Sequence, residues 1–185
     1  MSGEVTLRRI EAADWPAVHS WGSLLEFCRH QPWGPDTQEE SRAFTQAAAL
    51  AWSQRPQTRY AYLVCTAEGT PIGTGEVTVR QADHRHGEIS YGLHPEQWGR
   101  GLGTAVGREL LRIGFEELGF HRVCGTCDPR NRGSAGVLRK LGMTYEGRLR
   151  HTLLIRDGWR DSEMFSILED EWRALSVDER REQTR

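Results

Sequence analysis

Apolar and polar positions change period several times along this chain, and each change predicts an element. Residues 5–10 alternate, with Val5 and Leu7 between polar neighbours, and predict a first strand. Asp14 is placed to N-cap a short helix through Trp15-Pro16-Ala17-Val18, with its Pro in the first turn. Thr37 with Glu40 forms a capping-box pair and predicts a helix reaching about Gln54. Residues 60–66 and 71–80 predict an antiparallel pair joined at Glu68-Gly69-Thr70, and residues 86–93 the next strand. From Gly101 the period becomes helical: Leu102, Val106, Leu110, Ile113 and Leu118 lie near one stripe, and Gly119 ends it. Residues 122–128 predict a strand and 132–141 a helix stopped by Gly142. Residues 144–155 and 159–168 predict a hairpin across Arg156-Asp157-Gly158, and 169–175 a short helical end. This order of strands and helices predicts one α/β domain over residues 1–175. The charged residues 176–185 are expected to form a disordered tail.

Composition changes this picture little. At 185 residues and a net charge of −2 the chain suits a single domain with no strong pull toward a charged partner. Arginines are scattered rather than clustered, which argues against a nucleic-acid footprint. No apolar run approaches the roughly 18 residues that a membrane span needs. Met-Ser-Gly-Glu-Val does not read as a signal peptide, so a cytoplasmic location is expected. Cys124 and Cys127 have C-x-x-C spacing, but on a strand those positions face opposite ways. With Cys28 and Cys65 they are expected to be buried free thiols, and no metal is expected. His84 and His86 read as solvated turn residues. The aromatic-rich stretch around Trp21, Phe27 and Trp33 reads equally as core or as a wall of a substrate site.

The candidate chemistry sits in Ser90-Tyr91-Gly92-Leu93-His94-Pro95-Glu96-Gln97-Trp98-Gly99-Arg100-Gly101-Leu102-Gly103-Thr104. A glycine-spaced loop opening a helix lets backbone N–H groups approach an anion, with the positive end of the helix dipole behind them. The loop lacks the Gly-Lys-Ser/Thr of a P-loop, and neither its G-x-G-x-G spacing nor its context fits a dinucleotide fold. A diphosphate is therefore the expected ligand of the amides at Trp98, Gly99, Arg100, Gly101, Leu102, Gly103 and Thr104, with the Arg100 side chain either adding charge or simply solvated.

The run Trp98-Gly99-Arg100-Gly101-Leu102-Gly103 resembles the acetyl-CoA loop of the GNAT acetyltransferase superfamily, with Trp in place of the usual Gln or Arg. That substitution is similar to the Rim-type N-acetyltransferase branch. Asp128-Pro129-Arg130-Asn131-Arg132-Gly133-Ser134 resembles the same branch's Asn-x-x-Ser helix, and the stretches from Tyr145 and from Arg156 resemble its C-terminal hairpin. The resemblance implies a GNAT fold with a mixed, mostly antiparallel sheet flanked by helices. It implies acetyl-CoA as co-substrate and a primary amine as acceptor, either a protein N-terminus or a small molecule; a homodimer is compatible with it.

It also implies roles. The backbone N–H of Leu93 would bond the acetyl oxygen where two parallel strands splay, and Asn131 would bond the pantetheine arm or cap its own helix. Glu88, on the face opposite Ile89 and Tyr91, would be either the general base or a structural carboxylate; His151, taken to share a face with Leu153, is the reserve. The tyrosine that protonates the leaving thiolate in many relatives falls at Leu138, which leaves Ser134 as the hydroxyl. An acyl-CoA-binding module without catalysis, and a nucleotide-phosphate enzyme, are the competing readings.

Overall fold

A computed structural model describes residues 4–182, with side chains to residue 175. Seven strands form one sheet in the order β1-β2-β3-β4-β5-β7-β6. They are β1 (Val5–Arg9), β2 (Arg59–Thr66), β3 (Pro71–Gln81), β4 (His86–Leu93), β5 (Arg122–Cys127), β6 (Thr144–Ile155) and β7 (Gly158–Leu168). The helices are α1 (Trp15–Gly22), α2 (Leu25–Cys28), α3 (Gln38–Ala51), α4 (Leu102–Arg112), α5 (Arg132–Lys140) and α6 (Glu169–Glu182). All neighbouring strands run antiparallel except β4 and β5. The mixed, mostly antiparallel sheet expected from the sequence is present.

Strand alternation sorts the side chains between two cores. Tyr62, Val64, Val77, Ile89, Leu93 and Val123 pack on α4 and α5, whose buried stripe includes Val106, Leu110, Leu111 and Leu138. Ala61, Leu63 and Cys65 face the other way, against Val18 and Trp21 of α1 and Ala48 of α3. Glu88, Ser90 and Gly92 therefore look toward α1 and α2, away from α4 and α5. This face separation was readable from the alternation at Ile89 and Tyr91.

Several local expectations need correction. Asp14 does not cap α1: its carboxylate accepts from the N–H of Glu11 (2.8 Å) and from Arg8 (2.6 Å), closing the turn before the helix. The Thr37–Glu40 box forms as expected, with bonds of 2.7 and 3.2 Å, but α3 stops at Ala51 rather than near Gln54. The helix read as ending at Leu118 is α-helical to Arg112 and widens into a π turn over Ile113–Glu117. His86 is a half-buried strand residue whose Nε2 lacks a partner among the described residues, not a turn residue. α6 continues to Glu182 where a tail was expected from residue 176; the rest of that tail, 183–185, lies outside the described residues.

Among the described residues, no helix is long and apolar enough to cross a membrane. The four cysteines are buried free thiols. Burial pushes Cys28, Cys124 and Cys127 up to about 11, so they stay protonated near neutrality and are poor metal ligands or nucleophiles.

Candidate active site

β4 and β5 are bonded over a short length only. Their register covers His86↔Arg122, Gly87↔Val123 and Glu88↔Cys124, and then stops, although both strands continue. β5 keeps its pairing with β7 to Cys127↔Glu163, and β4 keeps its pairing with β3 to Gly73↔Leu93. The two parallel neighbours thus open into a wedge. Beyond it, the N–H of His94 donates to Ile72 O (2.8 Å). In an antiparallel ladder the next residue points the other way, so Leu93 aims its N–H into the wedge.

The glycine loop lies at the end of β4. Gly99 and Gly101 take φ of +75° and +78°, and a Cβ at either would meet nothing within 4 Å. Left-handed geometry is what selects glycine here, and it turns successive amides outward. Trp98 N–H is bonded to Pro95 O (3.1 Å) and Thr104 N–H to Gly101 O (3.0 Å). Between them the N–H groups of Gly99, Arg100, Gly101, Leu102 and Gly103 have no acceptor among the described residues. Two of the expected donors, the amides of Trp98 and Thr104, are therefore committed elsewhere. Trp98 has a different part: its indole N–H donates to Leu93 O (2.8 Å), tying the loop to the strand end that carries the Leu93 amide. Arg100 is exposed and, among the described residues, reaches only Gln97 (3.5 Å). The residues fit a diphosphate: five open amides on a helix start, with room above both glycines.

On the α4–α5 side of the wedge, the Tyr91 hydroxyl is buried and closes no hydrogen bond among the described residues. Burial pushes Tyr91 up to about 12, with the nearby Ser134 hydroxyl acting in the opposite direction. Ser134 is half-buried at the first turn of α5, and Asn131 caps that turn by accepting from Ser134 N–H (3.0 Å). Leu138 is core. The Tyr91 ring packs on the core, and its hydroxyl enters the wedge region.

On the opposite side, Glu88 sits where the wedge begins. Burial raises its pKa, against the pull of Arg80, whose Nε lies 2.5 Å from it. Leu93 is roughly 16 Å further along the strand at about 3.3 Å per residue. The reserve base His151 is on β6, at the cleft beyond the end of β5 rather than in the wedge. β6 bulges between Leu149 and Leu153, and His151 takes φ +49°, its N–H bonded to Asp161 (3.0 Å) and its ring stacked on Trp159. The alternation that put His151 and Leu153 on one face does not survive the bulge.

A buried polar network missed in the sequence closes this side. Asp128, 1% exposed just beyond β5, accepts from the backbone N–H of Arg130 (2.8 Å), from its guanidinium (2.8 Å) and from His30 Nδ1 (3.1 Å). Burial alone would raise its pKa, but these donors outweigh it and hold Asp128 at about 2. Arg160 donates to His30 O (2.7 Å), and Arg156 donates to the carbonyls of Cys28, Gln31, Trp33 and Gly34. The turn of the last hairpin thereby clamps the segment after α2 over the wedge. The Asp128 value lies below the ordinary 3.8, so its contribution, about 2 kcal/mol, is present above about pH 4 and lost as pH falls toward 2. Urea unfolding at pH 7, 4 and 3 should show this loss, and Asp128→Asn should flatten it.

Next to this network lies a cleft of about 380 Å³ lined by Asp128, Arg130, Arg148, His151, Asp157, Trp159, Arg160 and Asp161. Open amides at a helix start and a wedge between parallel strands, with a cleft beyond the end of β5, are the parts of a CoA-dependent acyltransferase site. The Acetyltransferase (GNAT) domain family matches residues 4–144, and the chain belongs to that family. It is an acetyl-CoA-dependent N-acetyltransferase. It is 27% identical over 166 residues to the uncharacterized N-acetyltransferase YnaD of Bacillus subtilis (strain 168), covering 90% of this chain and 94% of that one. It is 25% identical over 170 residues to the spermidine N(1)-acetyltransferase of Escherichia coli (strain K12), covering 92% and 89%. The crystal structure of a GNAT-family acetyltransferase from Bacillus anthracis superimposes with a TM-score of 0.78 at 26% identity, covering 92% of this chain and 98% of that one.

Proposed function

We propose that the chain acetylates the primary amine of a small molecule by direct attack in a ternary complex. The observation that carries the acceptor class is the cleft between the end of β5 and the last hairpin: its volume of about 380 Å³ lies within the roughly 300–1,000 Å³ of small-ligand sites. Its charges are mixed, with Asp128, Asp157 and Asp161 against Arg130, Arg148 and Arg160. That balance suits an amine of low net charge, or one carrying a carboxylate, better than a long polycation. The spermidine-acetylating relative supports a small amine in general. The Rim-type resemblance of the glycine loop and the α5 helix supports a protein N-terminus as the second reading.

In this scheme the amides of Gly99, Arg100, Gly101, Leu102 and Gly103 hold the pyrophosphate, and Asn131 orders the start of α5. Leu93 N–H stabilises the oxygen that gains charge as the amine attacks. Tyr91 and Ser134 supply a proton to the departing sulfur, taking the place of the hydroxyl absent at Leu138. Glu88, paired with Arg80 where the wedge begins, is too far along the strand to touch an acetyl group held at Leu93.

A thiol-release assay tests this with a panel of polyamines, short alkylamines, amino acids and N-terminal peptides. Turnover fastest on a small amine is expected. Turnover confined to peptides favours the second reading, and acetyl-CoA binding without turnover on any amine favours a binding module.

A further inference from the structure

The segment from Phe27 to His30 bridges the mouth of the wedge. At one end, the Phe27 ring lies over Gly92 of β4, its Cζ 2.6 Å from where a Cβ would sit. At the other, His30 Nδ1 is 3.1 Å from Asp128, one residue past β5. Gly92 and Asp128 stand at the same height on the two strands, since Glu88 and Cys124 are the last pair below them. His30 is thus held across the opening into which Leu93 aims its N–H.

The tautomer follows from the partner. Asp128 has its carboxylate surrounded by N–H donors, so it is ionised and only accepts. His30 Nδ1 must then carry the proton, and in the neutral ring Nε2 keeps its lone pair. Nε2 has no partner among the described residues, and the side chain is 24% exposed. An imidazole fixed through Nδ1 by a buried carboxylate that itself lines the cleft, with Nε2 left unpartnered among the described residues, is arranged to take a proton.

We propose that His30, positioned by Asp128, is the group that accepts the proton of the acceptor amine. The inference rests on the acetyl-transfer reading and adds the base to it. The ammonium gives one proton to His30 Nε2; the freed nitrogen attacks the thioester carbonyl; the C–N bond forms and the C–S bond breaks. The second nitrogen proton ends on the departing sulfur, by way of the Tyr91–Ser134 side, and His30 returns its proton to solvent. Asp128 is a positioning residue. The charged groups facing His30 are Asp128 and Arg130 from the β5–α5 connection, Arg160 from β7 and Arg156 from the hairpin turn.

The test measures kcat against pH from 5 to 9 for the wild type, His30→Gln, His30→Ala, Asp128→Asn and Glu88→Gln, with acetyl-CoA affinity measured alongside. Both His30 variants should lose about 10²- to 10³-fold in kcat at unchanged acetyl-CoA affinity. They should also lose the rise in kcat between pH 5 and 8, and added imidazole should restore part of the rate to His30→Ala. Asp128→Asn should lower kcat, and Glu88→Gln should keep the pH profile. Wild-type profiles in the His30 variants would overturn the proposal, as would loss of the profile in Glu88→Gln alone. A wild type that binds acetyl-CoA but turns over no amine would overturn the transfer reading, and this proposal with it.

Discussion

Gly101→Asp is expected to weaken acetyl-CoA binding by about 100-fold, or roughly 2.7 kcal/mol, while the fold survives. Gly101 is the N-cap of α4 at φ +78°, with nothing within 4 Å of its Cβ position. Asp is among the residues that tolerate left-handed backbone, at about 1–2 kcal/mol, so the variant stays folded. What it adds is a carboxylate beside the amides that would otherwise face a diphosphate. Arg100→Ala is the matching control: an exposed guanidinium is worth at most about 1 kcal/mol, a loss of no more than about fivefold. Isothermal titration with acetyl-CoA and a thermal melt separate binding from folding. Equal losses in both variants would mean that side-chain charge, not the loop's amides, holds the nucleotide.

The second large effect is expected at Gly73→Ala, far from the loop in sequence. A Cβ there would overlap the carbonyl oxygen of Gly92 and lie 2.9 Å from the Cα of Leu93. Neither atom belongs to a side chain, so no rotamer change relieves the contact and the end of β4 must move. Overpacking of this kind costs about 2–3 kcal/mol, or a fall of roughly 5–10 °C in Tm for a chain this size. The shifted atoms carry the Leu93 amide, so kcat should fall by about 10- to 100-fold. Gly69→Ala provides the contrast. It is strained by φ +87° but meets nothing within 4 Å, and it should lower stability by about 1 kcal/mol without changing kcat.

The parts of this molecule visible in its sequence are those that neighbouring residues decide. Alternation at Ile89 and Tyr91 sorted the faces of β4, the glycine spacing marked the anion loop, and Thr37 with Glu40 marked the start of α3. These are contacts within a turn or a strand. The wedge was anticipated only through family resemblance, because nothing within residues 86–93 or 122–127 says that their pairing stops at Glu88 and Cys124. The His30–Asp128 pair spans 98 positions and joins a loop to a strand end, so neither residue carries a local signal. Arg156 is similar: it looks like a hairpin-turn arginine, yet it binds carbonyls 122 to 128 positions away. His151 was misread because a bulge, which has no reliable sequence mark here, broke the alternation on which its placement rested. Trp98 matched a motif, but its indole bond to Leu93 O depends on how the loop folds back.

A crystal structure with CoA bound puts the account to its hardest test. The pyrophosphate oxygens should lie about 2.7–3.2 Å from the N–H groups of Gly99 through Gly103, with the thiol in the wedge near Leu93 N–H and the Tyr91 hydroxyl. A nucleotide seated elsewhere, or a pyrophosphate held by side chains while those amides face water, would contradict it.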